Sequence, residues 1–371
     1  MAIKVWEYLS EYADEREEIL AAVDRVFSSG TLILGPSGAG FETEFASYIG
    51  TSHAVGLDNA TNGIFLALRA LGIGPGDEVI TVANTAVPTV SAIVQAGATP
   101  RFVDVEPDTA LMDVALLPSV ITERTKCIIP VHLYGQCVDM DPLMTLAHER
   151  GLFVLEDCSQ SHGATYKGTK SGAIGDLAVF SLYPTKPLGA YGDGAVVTTN
   201  GAELDARLRR LRFYGMEKTY YSEGEGYNSR LDEVQAEILR VKLPKLDGYI
   251  AARRALAARY DELLADGPVE RITVDSPADH AYYVYAVRHP RRDDIVATLR
   301  ERDILVNISY PWPIHTMRGF AYLGYHEGDL PNTERHNAEV FSLPMYPKLP
   351  AEAVNTVCEA LQSIVGTLEG N

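Results

Sequence analysis

Two apolar runs in the sequence end in side chains able to do chemistry. FVLED delivers Glu156 and Asp157 and continues into CSQSHGA, with Gln160 and His162; LAVFSLYPTK delivers Ser181 and Lys186 ahead of the turn PLGAYGDGA. Taken singly these are weak signals. A carboxylate closing a strand is as often a helix cap or a surface group as a reactive one, and about nine lysines in ten are solvated surface charges. As a pair at neighbouring strand ends they say more, because ligands of an open α/β sheet collect at the carboxyl ends of its strands. A pyridine-type cofactor requires a carboxylate that keeps its ring nitrogen protonated and a lysine that forms a Schiff base with its aldehyde. Asp157 and Lys186 are the two residues that fit.

Such a cofactor carries a phosphate, which backbone N–H groups at a helix start or side-chain hydroxyls can hold. GLDNATNGIFLALRAL places a turn, Asp58 to Thr61, directly before an amphipathic helix, with Thr61 as a hydroxyl donor; Ser181 offers a second hydroxyl. Alone, Thr61 reads somewhat better as an ordinary N-cap. Two phosphate-loop alternatives fail by counting. GATYKGTK has Thr169 where GxxxxGK demands lysine, and GIGPGD has Asp77 where GxGxxG demands its third glycine. The glycine-rich turn after Lys186 reads as a flexible loop beside a reactive centre.

The elements that must position these residues alternate short apolar strands with helical patterns from about residue 50 to 200. DEVITVA, TPRFVDV, KCIIPVHLYG, LFVLEDCS, LAVFSLYP and GAVVTTN are the strand candidates. Helices over 62–71 and 140–150 are closed by Gly72 and Gly151. This rhythm predicts an α/β fold, a mostly parallel sheet flanked by helices. Beyond residue 200 the chain turns to long charged helical stretches, then mixed strands and helices, which predicts a smaller C-terminal α/β domain. We place the boundary at residue 245, giving domains 1–245 and 246–371 in a chain of 371 residues.

The formal charge of −18, from 50 acidic and 32 basic side chains, argues against a general grip on nucleic acid. The amino terminus lacks the features of a signal peptide and no apolar run reaches membrane-span length, so a cytoplasmic protein is expected. Four cysteines and nine histidines show no metal-ligand spacing, and no metal is expected.

Seven blocks, in order, resemble the DegT/DnrJ/EryC1/StrS family of sugar aminotransferases, pyridoxal phosphate enzymes of fold type I. They are ALRALGIGPGDEVI, AGATPRFVDVEPDT, IIPVHLYGQCVDMDP, VLEDCSQSHGATYKGTKSGAIGD, FSLYPTKPLGAYGDGAVVT, GYNSRLDEVQAEIL and SLPMYP. The resemblance implies that Lys186 bonds the aldehyde of pyridoxal 5'-phosphate, that Asp157 pairs with its ring nitrogen and that Gln160 contacts the ring hydroxyl side. It further implies that Ser181, with the Ala60–Thr61 backbone and the Thr61 hydroxyl, holds the phosphate. Asn228 would reach that phosphate from the neighbouring subunit of a homodimer, and Tyr310 and His315, in SYPWPIH, would lie near the substrate.

Three positions depart from the family's pattern: Ala86 stands where an aromatic side chain often stacks on the ring, Ala60 replaces a glycine of the phosphate turn, and Ser309 replaces the histidine of HYP. The implied substrates are a nucleotide-linked keto-deoxysugar, expected to be a dTDP sugar aminated at C3 or C4, and glutamate or glutamine as donor. PVHLYGQ and RFYGM are more similar to the C3 enzymes. The rivals are a sugar dehydratase of the same family, in which a histidine replaces the lysine, and a regulatory protein that binds the cofactor without turnover. Lys186 argues against the first and the charge against a DNA-binding role for the second. A nicotinamide enzyme is disfavoured by the missing GxGxxG.

Overall fold

In a computed structural model the structure describes residues 2–218, 220–265, 267–274 and 278–369. Seven strands form one sheet: β1 (His53–Leu57), β2 (Glu78–Val82), β3 (Thr99–Val103), β4 (Thr125–Ile128), β5 (Phe153–Asp157), β6 (Leu177–Ser181) and β7 (Ala195–Thr199). Their spatial order is β1-β7-β6-β5-β4-β2-β3. Only β7 runs against its neighbours; β2 through β6 pair in parallel.

Alternation of side chains along these strands feeds two apolar layers, as the period of two requires. Val55, Val79, Leu155, Val179 and Val197 face a layer covered by α3 (Ala60–Ala70), α4 (Val87–Gln95) and α6 (Ala202–Leu211). Ala54, Ile80, Val154, Phe180 and Val196 face the other, covered by α2 (Pro36–Ile49), α5 (Met140–Arg150) and α7 (Glu233–Lys242). In α3 the small Gly63 lets the helix lie close on the sheet: a Cβ there would meet Val179 Cγ1 at 2.7 Å. The sheet is therefore covered on both faces, as expected for parallel strands.

One strand is shorter than its sequence pattern predicts. KCIIPVHLYG reads as a strand over 126–135, yet β4 stops at Ile128, because Pro130 has no N–H to continue the ladder. Beyond it Val131 makes one bridge to Asp157, and the chain turns through Tyr134 and Gly135 with φ of 61° and 106°.

A third apolar cluster gathers residues between Leu256 and Val365 with Ile3 and Trp6 against it. Its framework is a three-stranded antiparallel sheet, β8 (Glu270–Arg271), β9 (Tyr285–Arg288) and β10 (Val340–Leu343), with α9 (Arg292–Glu301) and α11 (Ala351–Glu369). α8 (Leu246–Leu263) links the two regions: Leu246 and Ile250 pack beneath the large sheet, whereas Leu256, Ala257 and Tyr260 belong to the third cluster. Ile3 forms a bridge with Ile304, so the first residues are joined to the third cluster. Among the described residues no helix is long and apolar enough to cross a membrane.

Candidate active site

β5 and β6 are parallel neighbours, with Asp157 level with Val179, so their carboxyl ends put Asp157 and Ser181 on one edge of the sheet. A cavity of about 260 Å³ opens there, and seven of the nine residues singled out from the sequence line it: Ala60, Thr61, Asp157, Gln160, Ser181, Lys186 and Tyr310. Asp157 is 4 % exposed. Its Oδ2 accepts from the Thr89 hydroxyl at 2.8 Å and its Oδ1 from the Ser159 N–H at 3.1 Å. The sequence reading missed Thr89. It stands in the first turn of α4, 68 residues before Asp157, so no local pattern in the sequence announces the contact.

The phosphate end is built by the helix start. Asn59 caps α3, its side chain accepting from Asn62 N–H at 2.9 Å, which leaves the N–H groups of Ala60 and Thr61 at the cavity with no intrahelical acceptor. The helix dipole adds a further pull on an anion. Ala60 is the first helical residue and has no positive φ, so alanine sits where the family pattern has glycine without strain. Asp58 lies close by, but its carboxylate accepts from Asn59 N–H, from the Asn62 side chain and from the Ser229 hydroxyl. That last bond ties the segment GYNSR to the phosphate turn. Its Asn228 is exposed and outside the cavity of its own chain.

Gln160 has both ends of its amide engaged: Oε1 accepts from Tyr134 N–H at 2.8 Å and Nε2 donates to the Tyr310 hydroxyl at 2.7 Å. Burial pushes the Tyr310 phenol well above its ordinary range, so it stays protonated. Tyr310 has φ of 59°, and its carbonyl accepts from the Asn337 side chain. Ala86 lines the cavity as well, so no aromatic ring stands at that position. Ser309 accepts instead from the Asn307 side chain at 3.1 Å.

His315 is not brought into this cavity. It is 1 % exposed, its Nε2 lies 2.9 Å from Glu334 Oε1, and it lines a separate groove with Pro311, Pro313 and Tyr325. His162, next to the reactive strand end in sequence, is buried edge-on against Phe180. Burial, and then the nearby charge of Lys186, hold it down to about 3, so it is a neutral packing group and not a base.

A third cluster, His132, Glu156 and Cys158, has its ligand atoms within 4.8 Å of one another. Its chemistry is already spent. Burial pushes Glu156 up, but His132 Nε2 at 2.9 Å and the N–H groups of Gly172, Ile174 and Gly175 outweigh it and bring the carboxyl below its ordinary range. His132 Nδ1 accepts from Val138 N–H, and burial keeps the Cys158 thiol protonated. This is a structural anchor for the strand that carries Asp157.

Two expectations follow from these contacts. Thr89→Val removes one donor from Asp157, and turnover is expected to fall about fivefold, the cost of roughly 1 kcal/mol, in steady-state assays with no change in thermal midpoint beyond a few degrees. The second concerns acid. Burial holds His162, His280 and His336 each near about 3, against about 6.5 in an unfolded chain. Between those pH values the unfolded state binds protons the folded state refuses, so stability falls as pH drops through that window, by up to about 1.4 kcal/mol per pH unit for each histidine. Urea midpoints are expected to decline from pH 7 to pH 5; a flat profile would contradict the buried neutral imidazoles.

The donor set fits pyridoxal phosphate: an amine for the aldehyde, a buried carboxylate for the ring nitrogen, and two free N–H groups with hydroxyls for the phosphate. The comparisons agree. The model of the DegT/DnrJ/EryC1/StrS aminotransferase family matches residues 13–362. The dTDP-3-amino-3,4,6-trideoxy-alpha-D-glucose transaminase of Micromonospora megalomicea subsp. nigra is 56% identical over 371 residues, 98% of this chain and 99% of that one. The protein of the same name from Streptomyces venezuelae is 43% identical over 352 residues, 95% of this chain and 93% of that one. An X-ray crystal structure of S. venezuelae DesV superposes with a TM-score of 0.96 at 41% identity, covering 98% of each chain. With its fold, its cavity and nearly its whole length in register, this chain is a pyridoxal phosphate-dependent aminotransferase and belongs to the DegT/DnrJ/EryC1/StrS family.

Proposed function

We propose that the enzyme transfers an amino group from glutamate or glutamine to C3 of a dTDP-linked keto-deoxysugar, in the cytoplasm and as a homodimer with shared sites. The observation that carries this reading is the cavity that joins Lys186 and Asp157 to an open helix N-terminus. The choice of a dTDP sugar and of C3 rests on the relatives, two of which are named for a dTDP-3-amino sugar. The domain division near residue 245 belongs to the same proposal, with the third apolar cluster as the core of the smaller part.

Pyridoxal phosphate, once bound, supplies an aldehyde that captures amines and a ring that takes up the electron pair of a broken C–H bond. The chain does the rest. Ala60 and Thr61 N–H, the Thr61 hydroxyl and Ser181 hold the phosphate, and Asn228 of the partner subunit completes that site. Asp157, already fixed by Thr89 and Ser159, holds the proton on the ring nitrogen. Gln160 and Tyr310, hydrogen-bonded to each other, bound the cavity wall where the ring hydroxyl and the sugar would lie. Lys186 Nζ takes the proton from the amine-bearing carbon of the donor and returns it at the other end of the exchange. Two substrates visiting one site in turn give ping-pong kinetics.

The test is to incubate the purified enzyme with pyridoxal phosphate, glutamate or glutamine, and a dTDP-3-keto-4,6-dideoxyhexose, then follow the amino sugar by liquid chromatography and mass spectrometry. Formation of the 3-amino sugar is the expected result; amination only of a 4-keto sugar, or loss of water from the sugar without amine transfer, would overturn the assignment.

A further inference from the structure

We propose that Tyr283 is a positioning residue for the transamination, its ring face being the place where the Lys186 amine rests whenever that amine is not bonded. The proposal rests on the reading of Lys186 as the proton-moving amine and adds the group that keeps it within reach.

Lys186 Nζ lies 4.2 Å from the centroid of the Tyr283 ring. This electron-rich face lies at cation–π distance from the amine and serves as its electrostatic partner. The residue is itself held at three points, one on the ring and two on the backbone. Its hydroxyl is 3.0 Å from the hydroxyl of Thr185, the residue before the lysine. Its backbone N–H donates to the Tyr134 carbonyl at 3.0 Å. Its carbonyl accepts from Arg253 Nη1 at 3.1 Å, and the same nitrogen reaches the carbonyls of Tyr282 and Met345. Arg253 is 2 % exposed, and burial lowers it only to about 10, so it remains charged at neutral pH.

The turn that receives Tyr283 is equally constrained. A Cβ on Gly135, where φ is 106°, would stand 3.1 Å from Tyr283 N and 3.1 Å from the Gln160 carbonyl. Through this close approach the tyrosine under the lysine is registered against the loop that carries Gln160.

The experiment compares Tyr283→Phe, which keeps the face, with Tyr283→Leu, which removes it. In Tyr283→Leu the turnover number is expected to fall about tenfold with KM for glutamate nearly unchanged. The isotope effect with glutamate deuterated at its α-carbon should rise, because proton transfer becomes limiting. Tyr283→Phe should stay within about twofold of wild type on both measures. A readout independent of turnover is competitive acetylation of the apoenzyme followed by mass spectrometry. The reactivity of Lys186 relative to surface lysines should change severalfold in Tyr283→Leu and not in Tyr283→Phe. Unchanged labelling and isotope effect in Tyr283→Leu would overturn the proposal, as would a phenylalanine variant as impaired as the leucine one, which would assign the effect to the hydroxyl and Thr185. Full turnover in Lys186→Ala would instead remove the reading on which it rests.

Discussion

Lys186→Ala is expected to lower turnover by at least about 10³-fold, since one side chain supplies both the covalent hold on the cofactor and the mobile proton. Binding of pyridoxal phosphate should survive in part. The Ala60 and Thr61 N–H groups, the Ser181 hydroxyl and Asp157 are contributed by other elements, and none of them depends on the lysine for its position. Equilibrium dialysis of the variant against the cofactor measures that residue of affinity, and a steady-state assay the loss of rate. Lys186→Arg separates charge from proton transfer: a guanidinium keeps the positive charge but does not give up a proton near neutral pH, so it should be as inactive as alanine. Turnover at the wild-type rate in either variant would end the mechanism proposed above.

Asp157→Ala ranks second, with an expected loss of about 10² to 10³-fold, the usual size for removing one preorganised electrostatic group. Here the structure predicts a specific companion. Asp157→Asn retains the shape and the hydrogen bond from Thr89, yet carries no charge to keep a proton on a ring nitrogen, and should be nearly as slow as the alanine variant. If asparagine restored most of the rate, the aspartate would matter for packing at the end of β5 and not for its charge. Thermal midpoints of the two variants complete the comparison, because a buried carboxylate removed from two donors leaves those donors unpaired.

Much of this site was legible in the sequence because its central residues lie at or just beyond a strand end or at a helix start, and both kinds of boundary leave a mark. FVLED and LAVFS announce their own ends, and the turn Asp58 to Thr61 announces a helix start, although the cap itself is Asn59 and not Thr61. What could not be read is whatever depends on pairings between distant segments. Thr89, in the first turn of α4, meets Asp157 at the end of β5 from 68 residues away, and Tyr283 finds Lys186 because residues 281–283 lie along the turn at Tyr134 and Gly135. His315, close in sequence to Tyr310, lines a neighbouring groove and not the cavity of Lys186, and no local pattern distinguishes the two placements. The early end of β4 was legible in hindsight from Pro130. The attachment of Ile3 to Ile304 has no local signature at all.

The order of the strands also bears on when the enzyme comes into being. β1, which leads into the phosphate turn, has β7 as its one neighbour in the sheet, and β7 begins only at Ala195. A nascent chain that has emerged as far as Lys186 already carries the lysine, the aspartate and the glutamine, but its first strand has no edge to join. The loop that must close spans most of the large sheet, and closing it is slow more than it is costly. The phosphate turn therefore takes its place beside Asp157 and Ser181 only after the strand Ala195–Thr199 has been made.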